Sequence, residues 1–379
     1  MSEDSVGIVG AGVHGVAAAY HLARRGVPTV VFERGTRAGG PTGRASGVVR
    51  SYYTNRFLAE VARDSTAVLA DFAAQVGGDS GFVRTGGLYL HGADDIDDVR
   101  KTGADHEVLT PADLAARFPD LNLDGTAIGV WEERAGHADP HGTALGYAAA
   151  AERHGATLLE HAEVVKITDD GRRVVVLLGD GTRHEVGRLL VAAGPWTGPL
   201  LAQVGAALPL TAERHVVAGL IHQPDDVPLA VPYVLIDVQR GYYSRPSGAD
   251  RFLLGPLAPA TPTDPDDFAT DVTAAEIDWL ATRAAQRTPV RGRAVADRGW
   301  ASLYDVSPDW QPVTGQVSDR VYVDAGTSGH GFKLAPVWGD HVARLLAGDP
   351  DPRLEQFSPG RFAAGSALAS GFGAARILG

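Results

Sequence analysis

The sequence predicts a mixed α/β fold in which a Rossmann-type nucleotide-binding domain is interleaved with a domain built on an antiparallel sheet. Three observations lead to this class. The chain opens on a strand, a glycine-rich turn, a helix and a second strand; its middle alternates short strands with hairpin turns; and a strand-to-helix unit returns near its end. Because nucleotide-type elements stand at both ends and in the middle, interleaved domains fit this order better than consecutive ones.

The opening unit has the pattern of a βαβ motif. Residues 6–9 predict a buried strand, small residues predict a helix that runs to about Arg25, and residues 29–33 predict the next buried strand. Gly26 is expected to stop the helix between the two strands. This order of elements is the one in which a glycine-rich turn binds a dinucleotide.

The turn after the first strand carries Gly10, Gly12 and Gly15 in a G-x-G-x-x-G pattern. Gly10 allows the tight turn, Gly12 lets a pyrophosphate approach backbone N–H groups, and Gly15 lets the helix pack closely on the strand. Glu33, at the end of the second strand, can accept hydrogen bonds from ribose hydroxyls. With 47 glycines in the chain a chance match is the alternative, but here the strands, the helix and the acid all fall in register.

The rest of the chain contributes further strands and helices to the two domains. The patterns predict helices over residues 57–77, 140–160, 273–287 and 336–348, and strands over residues 85–92, 162–194 (three strands), 233–256 (a hairpin) and 320–326. Residues 94–100 are expected to form an acidic surface turn, and Glu132, Glu133 and His137 a surface loop. We expect the nucleotide-binding domain to comprise residues 1–80, 140–210 and 299–379, and the antiparallel domain residues 81–139 and 211–298.

Composition excludes several classes of protein. The 379 residues carry a formal net charge of −12, which argues against a nucleic-acid or anionic-membrane partner. Because the chain has no cysteine, disulfides and thiolate metal sites are excluded, and no metal site is predicted. Residues 1–12 are acidic and enter a strand at once, unlike a signal peptide, and prolines break the apolar stretch 189–210. We therefore expect a cytoplasmic protein.

The chain contains one dinucleotide fingerprint in the right context and no second. A simple NAD-dependent dehydrogenase would also carry one, but the residues that follow the second strand, ERG and then AGG, are more typical of a flavin-binding start. If the bound nucleotide is FAD, electrons must come from an organic substrate. The reaction class is then oxidation of a small molecule.

Five ordered motifs resemble the FAD-dependent amino-acid oxidoreductases of the D-amino-acid oxidase superfamily, and within it the branch of sarcosine oxidases and dimethylglycine dehydrogenases. The motifs are GAGVHGVAAAYHLARRG, GRASGVVRSYY, RLLVAAGPWTGPLL, WASLYDVSPDWQPVTG and AGTSGHGFKLAP. The resemblance extends from about residue 5 to about residue 348. It implies a Rossmann-type FAD-binding domain interleaved with an antiparallel-sheet substrate domain that covers the flavin ring.

The resemblance also implies a clamp for a substrate carboxylate. In sarcosine oxidases an arginine after the second strand and a lysine of the last motif form it, and the matching residues are Arg50 and Lys333, one of only three lysines. Arg50 could instead pair with an acid or a flavin phosphate, and Lys333 could stabilise charge on the flavin alone. Tyr243 is favoured over Tyr242 as a cover for the substrate, since neighbours in a strand point to opposite faces. Arg245 is a possible second carboxylate contact.

Cofactor contacts follow from the fingerprint and the resemblance together. They are expected at Gly10, Gly12, Val13, His14, Gly15, Glu33, Arg34, Arg44, Ala45, Ser46, Val164, Val165, Ala193, Gly194, Trp196, Gly329, His330, Gly331, Phe332 and Lys333. His330 is expected to pack against the flavin or the protein rather than to act as a base. Relatives that attach the flavin covalently use a cysteine, where this chain has Ser302, or a histidine in a loop that here spans residues 34–53 and has none. FAD is therefore expected to bind non-covalently.

The expected reaction is oxidation of the C–N bond of a secondary or N-methyl amino acid, with hydride transfer to FAD and hydrolysis of the imine. Sarcosine oxidases carry a lysine over the flavin that promotes reaction with oxygen, but the matching residues 251–257 offer leucines, and Leu257 stands near the position of an active-site histidine. The acceptor is thus oxygen or another carrier, and a dehydrogenase or a tailoring enzyme that acts on a larger amino acid and uses an acceptor other than oxygen is an alternative. Alternatives are deamination of a primary D-amino acid or glycine, for which Arg298 is the late arginine available, and a flavin-binding subunit for assembly or electron relay.

Overall fold

The computed structural model describes residues 4–102, 106–221, 231–288, 294–369 and 371–372. The strands are β1 (Val6–Val9), β2 (Thr29–Phe32), β3 (Val48–Val49), β4 (Val83–Arg84), β5 (Gly87–His91), β6 (Glu107–Leu109), β7 (Ile128–Glu132), β8 (Gly136–His137), β9 (Thr157–Leu159), β10 (Val164–Asp169), β11 (Val174–Leu178), β12 (Arg183–Val186), β13 (Arg188–Val191), β14 (Thr211–Ile221), β15 (Val234–Asp237), β16 (Tyr242–Pro246), β17 (Arg251–Pro256), β18 (Val295–Val306), β19 (Val313–Gln316) and β20 (Val321–Ala325). The α-helices are α1 (Val13–Arg24), α2 (Arg56–Ala70), α3 (Phe72–Gln75), α4 (Ile96–Lys101), α5 (Pro111–Arg117), α6 (Pro140–Arg153), α7 (Thr197–Ala202), α8 (Ala274–Arg287) and α9 (Gly331–Leu346).

A six-stranded sheet in the order β19-β20-β13-β1-β2-β9 carries the predicted Rossmann-type unit. Its strands are parallel except β19, which pairs antiparallel with β20. Alternate residues of its strands enter two hydrophobic clusters: Ile8 and Leu190 pack with α1, α6 and α9, whereas Val9 and Val191 pack with the sheet β10-β11-β12. Because both faces of its centre are covered, β1 is buried along its whole length and its neighbours β2 and β13 are mainly apolar, as a buried parallel sheet requires.

An eight-stranded sheet in the order β18-β14-β17-β16-β15-β5-β7-β6 forms the second layer. Its neighbouring strands are antiparallel except β5 and β15, which are parallel. Leu88 and Leu254 belong to the cluster beneath α8, whereas Ile236 and Tyr243 belong to a cluster on the other face. The mixed α/β class with a mostly antiparallel second sheet is thereby confirmed, while the exact domain boundaries stay a prediction. β18 crosses the boundary predicted at residue 298.

Five local predictions were wrong in detail. The helix predicted over residues 140–160 ends at Arg153, and β9 follows within that range. Residues 162–194 form four strands rather than three, and residues 233–256 form the three strands β15, β16 and β17 rather than a hairpin. The acidic segment 94–100 is largely the short helix α4, and its Val99 is buried. The helix predicted over residues 57–77 breaks at Asp71 into α2 and α3. Period and turn signals identify element types well, but they do not count short strands reliably.

The helix after the last strand begins at Gly331, five residues before the predicted start at Pro336. Proline is common in the first turn of a helix, and this preference suggested the later start. Here Pro336 lies inside α9, where it removes one N–H donor. Ser65 of α2 lies beside this turn, and its Oγ donates to Leu334 O at 3.0 Å and accepts from Val337 N at 3.1 Å.

Candidate active site

A cavity of about 870 Å³ is lined by both large sheets. One wall comes from the carboxyl ends of β1, β2 and β13, and the other from β14, β16 and β18. In parallel α/β sheets ligands bind at the carboxyl ends of the strands. The cavity therefore lies where the Rossmann-type unit is expected to bind a nucleotide and where the second sheet can cover it.

The glycine turn at one end of the cavity leaves no room for side chains at two positions. Gly10 has a positive φ of 105°, and a Cβ on it would lie 2.5 Å from Ala192 O. A Cβ on Gly15 would lie 2.0 Å from Gly10 O, so α1 packs on β1 as predicted. Gly12 is the N-cap of α1 and has no side-chain cap. This cradle fits the pyrophosphate of FAD, which binds at such helix N-termini.

Glu33 follows β2 and lines the cavity. Its Oε2 accepts from Ala11 N and its Oε1 from Gly35 N, both at 2.8 Å. These two bonds fix the carboxylate between the glycine turn and the loop after β2. Each oxygen keeps acceptor capacity for a ribose hydroxyl, so the side chain fits its predicted role.

Arg34, Trp196 and Asp266 form a clasp at the rim of the cavity beside Glu33. The Arg34 guanidinium lies 3.9 Å from the centre of the Trp196 ring and 3.0 Å from Asp266 Oδ1, and Trp196 Nε1 donates to the same oxygen at 2.8 Å. Burial opposes the Asp266 charge, but the bonds from Trp196 and Arg34 lower the pKa of the carboxyl group. The loop before α8 is thus tied to the FAD-binding sheet across the cavity rim.

Substituting Asp266 with alanine should speed the release of FAD. The clasp is partly exposed, so losing one ion pair and one hydrogen bond should cost about 0.5–2 kcal/mol. The dissociation rate, followed by the fluorescence of released FAD, should rise roughly twofold to thirtyfold. Asp267→Ala is the matched control, because it removes the same charge from a neighbouring exposed position. Equal release from both variants would contradict a role for the clasp.

Arg50 follows β3, is buried and lines the cavity. Its guanidinium lies 4.3 Å from the centre of the Tyr53 ring and donates to Tyr52 O. A stacked, buried guanidinium of this kind is held in a fixed orientation. The structure therefore brings Arg50 to the cavity wall as predicted, and its role as a carboxylate clamp stays a prediction.

Glu132 was wrongly predicted to lie in a surface loop. It ends β7 and is only 3% exposed, because β7 pairs with β5 inside the second sheet. Its Oε1 accepts from Ser51 N at 2.6 Å and Ser51 Oγ at 2.5 Å, and its Oε2 accepts from Tyr89 Oη at 2.7 Å. Glu132 thereby holds the residue next to Arg50.

The two residues predicted to accompany Glu132 in a surface loop differ from each other. Glu133 is exposed, as predicted. His137 lies half-buried in β8, where burial and the charge of Arg245 lower its pKa to about 4. The segment is thus a strand end followed by a second short strand, and only part of it is surface.

Lys333 lies in the first turn of α9 and is buried on the cavity wall. Its Nζ donates to Gly329 O at 3.1 Å, and within the described residues no carboxylate pairs with it. Burial first, and then the charge of Arg50, lower the pKa of Lys333 well below its ordinary value. A lysine in this position gains its full charge when an anion enters the cavity.

The second sheet contributes an aromatic wall. Tyr243 lines the cavity, whereas Tyr242 packs in the cluster under α8, so the predicted choice between them agrees with the structure. Gly255 faces Tyr243 across the strands, and a Cβ there would lie 2.4 Å from the Tyr243 hydroxyl. Tyr304 stacks on His215 with ring centres 3.9 Å apart. Neither Tyr304 nor His215 was predicted to belong to the site, although the alternation of side chains along β14 and β18 places both on the cavity face.

Most of the predicted contacts line the cavity, and four do not. The residues that line it are Gly10, Gly12, Val13, His14, Glu33, Arg34, Arg44, Ala45, Ser46, Arg50, Val164, Ala193, Gly194, Trp196, Tyr243, Gly329, Gly331, Phe332 and Lys333. Gly15 packs against β1 instead, and Val165 is 44% exposed. Arg245 donates to Ser46 O and Pro246 O. His330 is buried beside the Tyr53 hydroxyl, 3.2 Å away.

A Rossmann-type sheet with a glycine cradle, covered by a mostly antiparallel sheet, defines the class as a dinucleotide-binding flavoprotein. The chain belongs to the DAO family of FAD-dependent oxidoreductases, whose sequence profile matches residues 5–345. It is an enzyme of this family, and FAD is its cofactor. Within the described residues, no helix combines the length and the apolar character that a membrane crossing requires.

Relatives of known activity are similar over nearly the whole chain. Glycine oxidase of Geobacillus kaustophilus is 28% identical over 361 residues, which are 90% of this chain and 92% of that protein. Sarcosine oxidase subunit beta of Rhodobacter capsulatus is 25% identical, covering 94% of this chain and 88% of that one. Human mitochondrial dimethylglycine dehydrogenase is 26% identical, with 94% of this chain but only 44% of that protein covered.

Solved structures agree on the fold. Glycine oxidase from Geobacillus kaustophilus superposes with a TM-score of 0.82 at 26% identity, covering 94% of this chain and 98% of that chain. L-proline dehydrogenase from P. horikoshii superposes with a TM-score of 0.84 at 23% identity, covering 96% and 99%. These relatives oxidise different substrates, so the family alone fixes amino-acid oxidation by FAD and leaves the substrate open.

Proposed function

We propose that this protein oxidises the C–N bond of a secondary or N-methyl amino acid, sarcosine-like or larger, to an imine that water hydrolyses. The observation that carries the proposal is the pair Arg50 and Lys333, two buried basic side chains on the wall of the cavity that holds the glycine cradle. A buried lysine with a lowered pKa and no acid partner among the described residues calls for an anion. The carboxylate of an amino acid supplies it.

Arg50 and Lys333 would hold that carboxylate through a guanidinium fork and an ammonium group, and so orient the carbon beside the amine. FAD, when bound, would supply the two-electron oxidising capacity for this reaction. No strong protein base is needed if the amine binds neutral. His330 fits this reading, because burial and the charges of Lys333 and Arg50 lower its pKa well below the ordinary value.

The first turn of α9 supports the same reaction. Gly331, Phe332 and Lys333 line the cavity, and they are the first three residues of a 16-residue helix. The N–H groups and the dipole at this end favour negative charge. They would stabilise the charge that develops in the cavity as electrons leave the substrate.

The character of the covering wall supports a substrate with an uncharged side chain. Ile236, Tyr243 and Leu257 line the cavity and belong to one hydrophobic cluster. Leu257 offers no charge near the position where the resemblance expects a histidine. Such a wall accepts an apolar group more readily than a second carboxylate or an ammonium. We therefore expect apolar N-alkyl or cyclic amino acids to be better substrates than acidic or basic ones.

The electron acceptor is oxygen or another carrier. The resemblance expects a lysine that promotes reaction with oxygen within residues 251–257. This chain has leucines there, which favours another carrier. The relatives include proteins named as oxidases and as dehydrogenases, which is consistent with either acceptor. The cytoplasmic location and the non-covalent binding of FAD belong to the same proposal.

A second candidate is oxidation of glycine or a primary D-amino acid. The similarity to glycine oxidase of Geobacillus kaustophilus favours it. Against it stands Arg298, the arginine expected to bind the carboxylate in that case, which is exposed and does not line the cavity. The proposal for a secondary amino acid uses Arg50 and Lys333 instead, and both line it.

The test is anaerobic mixing of the FAD-loaded protein with N-alkyl, cyclic, D- and primary amino acids while the flavin absorbance is followed. Secondary and N-methyl amino acids should bleach the flavin faster than glycine or D-amino acids of similar size. If no amino acid bleaches it, the proposal fails; faster bleaching by glycine or D-amino acids supports the second candidate. Air is then admitted, and re-oxidation over many minutes would indicate a dehydrogenase.

A further inference from the structure

His14, in the first turn of α1, joins the dinucleotide-binding helix to the start of α9. Its Nδ1 lies 2.8 Å from Asp324 Oδ2, and its Nε2 lies 3.0 Å from Gly331 O. Asp324 lies on β20 and Gly331 is the first residue of α9. The imidazole is buried and lines the cavity, so it sits where the cofactor-binding and substrate-binding parts of the site meet.

Both partners of His14 accept hydrogen bonds. A backbone carbonyl has no hydrogen to donate, so the bond to Gly331 O requires a hydrogen on Nε2. Asp324 acts as an acceptor on its other oxygen too, since Oδ1 accepts from Thr314 Oγ1 and Trp338 Nε1, both at 2.9 Å. Its Oδ2 is then best satisfied by a hydrogen on Nδ1. The contacts together call for a doubly protonated imidazole.

The titratable groups that face His14 are Asp324 of β20 and Asp305 of β18, which accepts from Thr327 Oγ1 at 2.7 Å. Burial opposes a charge on His14, but the charge and hydrogen bond of Asp324 and the charge of Asp305 outweigh it and raise the pKa. Burial likewise raises the pKa of Asp305. The direction for His14 agrees with the hydrogen-bond geometry.

The start of α9 depends on such contacts because Pro336 interrupts the regular ladder of the helix. Val337 N also donates to Ser65 Oγ of α2. Gly331 allows the close approach of His14, because a Cβ there would lie 3.1 Å from Nε2. Side chains of α1 and α2 thus hold the turn that carries Lys333.

His21 provides an internal comparison two helical turns further along α1. Its Nε2 lies 3.0 Å from Pro336 O and its Nδ1 lies 3.2 Å from Asp340 Oδ1. It therefore also contacts one backbone carbonyl and one carboxylate, but both belong to α9 and lie beyond the turn that carries Lys333. A variant at His21 loses an equivalent contact between the helices without touching that turn.

We propose that His14, as an imidazolium, is a positioning residue that fixes the first turn of α9, and with it Lys333, on the dinucleotide-binding helix. The inference rests on the proposed function only for its consequence, the binding of a substrate carboxylate at Lys333. Since the pKa of His14 is raised in the folded protein, its charge is present below the ordinary histidine pKa and is lost as the pH rises through the folded value. The contact by which His14 fixes the first turn of α9, and with it Lys333, should therefore weaken at alkaline pH.

The experiment uses the FAD-loaded protein labelled with ¹⁵N in histidine and ¹³C in lysine. Because the chain has three lysines, the Cε signal of Lys333 can be assigned with a Lys333→Met variant. We expect both ring nitrogens of His14 to be protonated at pH 7. In His14→Gln the pKa of Lys333 should rise by about one unit or more, toward the ordinary value of a lysine, whereas His21→Gln should leave it unchanged.

Two results would overturn the proposal: a neutral His14 at pH 7, or a Lys333 signal that is the same in wild type and His14→Gln. If His14→Gln does not fold, the wild type decides, because the Lys333 signal must then shift at the pH at which His14 titrates. Benzoate, a simple carboxylate, separates this proposal from the proposed function. If benzoate does not bind the wild type while Lys333 responds to His14, the carboxylate site fails and the positioning role stands.

Discussion

Replacing Arg50 with methionine should weaken the binding of a substrate or of a simple carboxylate such as benzoate by about 2–5 kcal/mol. The guanidinium is buried and held over the Tyr53 ring, so it meets a carboxylate without much loss of side-chain freedom. Without it, a carboxylate would be buried beside Lys333 alone. The dissociation constant, read from the change in flavin absorbance on titration, should rise roughly thirtyfold or more.

Arg245→Met is the matched control, since Arg245 is a partly buried arginine near the cavity that donates to backbone carbonyls and does not line it. It should leave the affinity within about threefold of wild type. Arg245→Met also tests the prediction that Arg245 is a second carboxylate contact. A large loss of affinity in this variant would support that prediction. If Arg50→Met binds benzoate as tightly as wild type while keeping its FAD, Arg50 is not part of the carboxylate site.

Local signals explain why the opening βαβ unit could be predicted to within one or two residues. The apolar run before Gly10, the small residues of α1 and the stop at Gly26 each act over a few residues. The same holds for Glu33, whose position follows from the length of the motif. The elements that the sequence predicts best are those whose first and last residues are set by signals in neighbouring residues.

Glu132 shows why other features escaped prediction. In the sequence it stands among charged and small residues, as a loop residue would, and its burial comes from the pairing of β7 with β5 about 40 positions earlier. The bonds to Ser51 and Tyr89 likewise join distant segments. Nothing within a local window encodes such contacts, so a buried carboxylate of this kind becomes visible only in the folded chain.

The start of α9 and the aromatic wall escaped prediction for the same reason, because both depend on contacts between distant segments. Pro336 resembles a helix start in the sequence, and the serine that bonds to the backbone on either side of it comes from α2. His215 and Tyr304 stack only because β14 and β18 pair with His215 next to Ser302. The resemblance supplied Arg50 and Lys333, whereas their surroundings needed the structure.

Replacing Gly12 with valine should remove FAD and leave the fold intact. A Cβ at Gly12 would meet only Thr42 Oγ1, at 3.2 Å, and its φ of −70° suits any residue. The larger side chain would nevertheless occupy the space through which the pyrophosphate approaches the N–H groups of α1. FAD affinity, measured by fluorescence titration of the apoprotein, should fall roughly 100-fold or more.

Two control variants, Gly15→Val and Gly198→Ala, distinguish a loss of FAD binding at the glycine turn from a loss of stability caused by poorer packing. A Cβ at Gly15 collides with Gly10 O at 2.0 Å, so Gly15→Val should lose both FAD and about 3 kcal/mol or more of unfolding free energy. Gly198 in α7 has no atom within 4 Å of a built Cβ, and Gly198→Ala should change neither. Because Gly12→Val removes the space for the phosphates alone, its apoprotein should unfold within about 0.5 kcal/mol of wild type. Full retention of FAD by Gly12→Val would show that the cofactor does not bind through this turn.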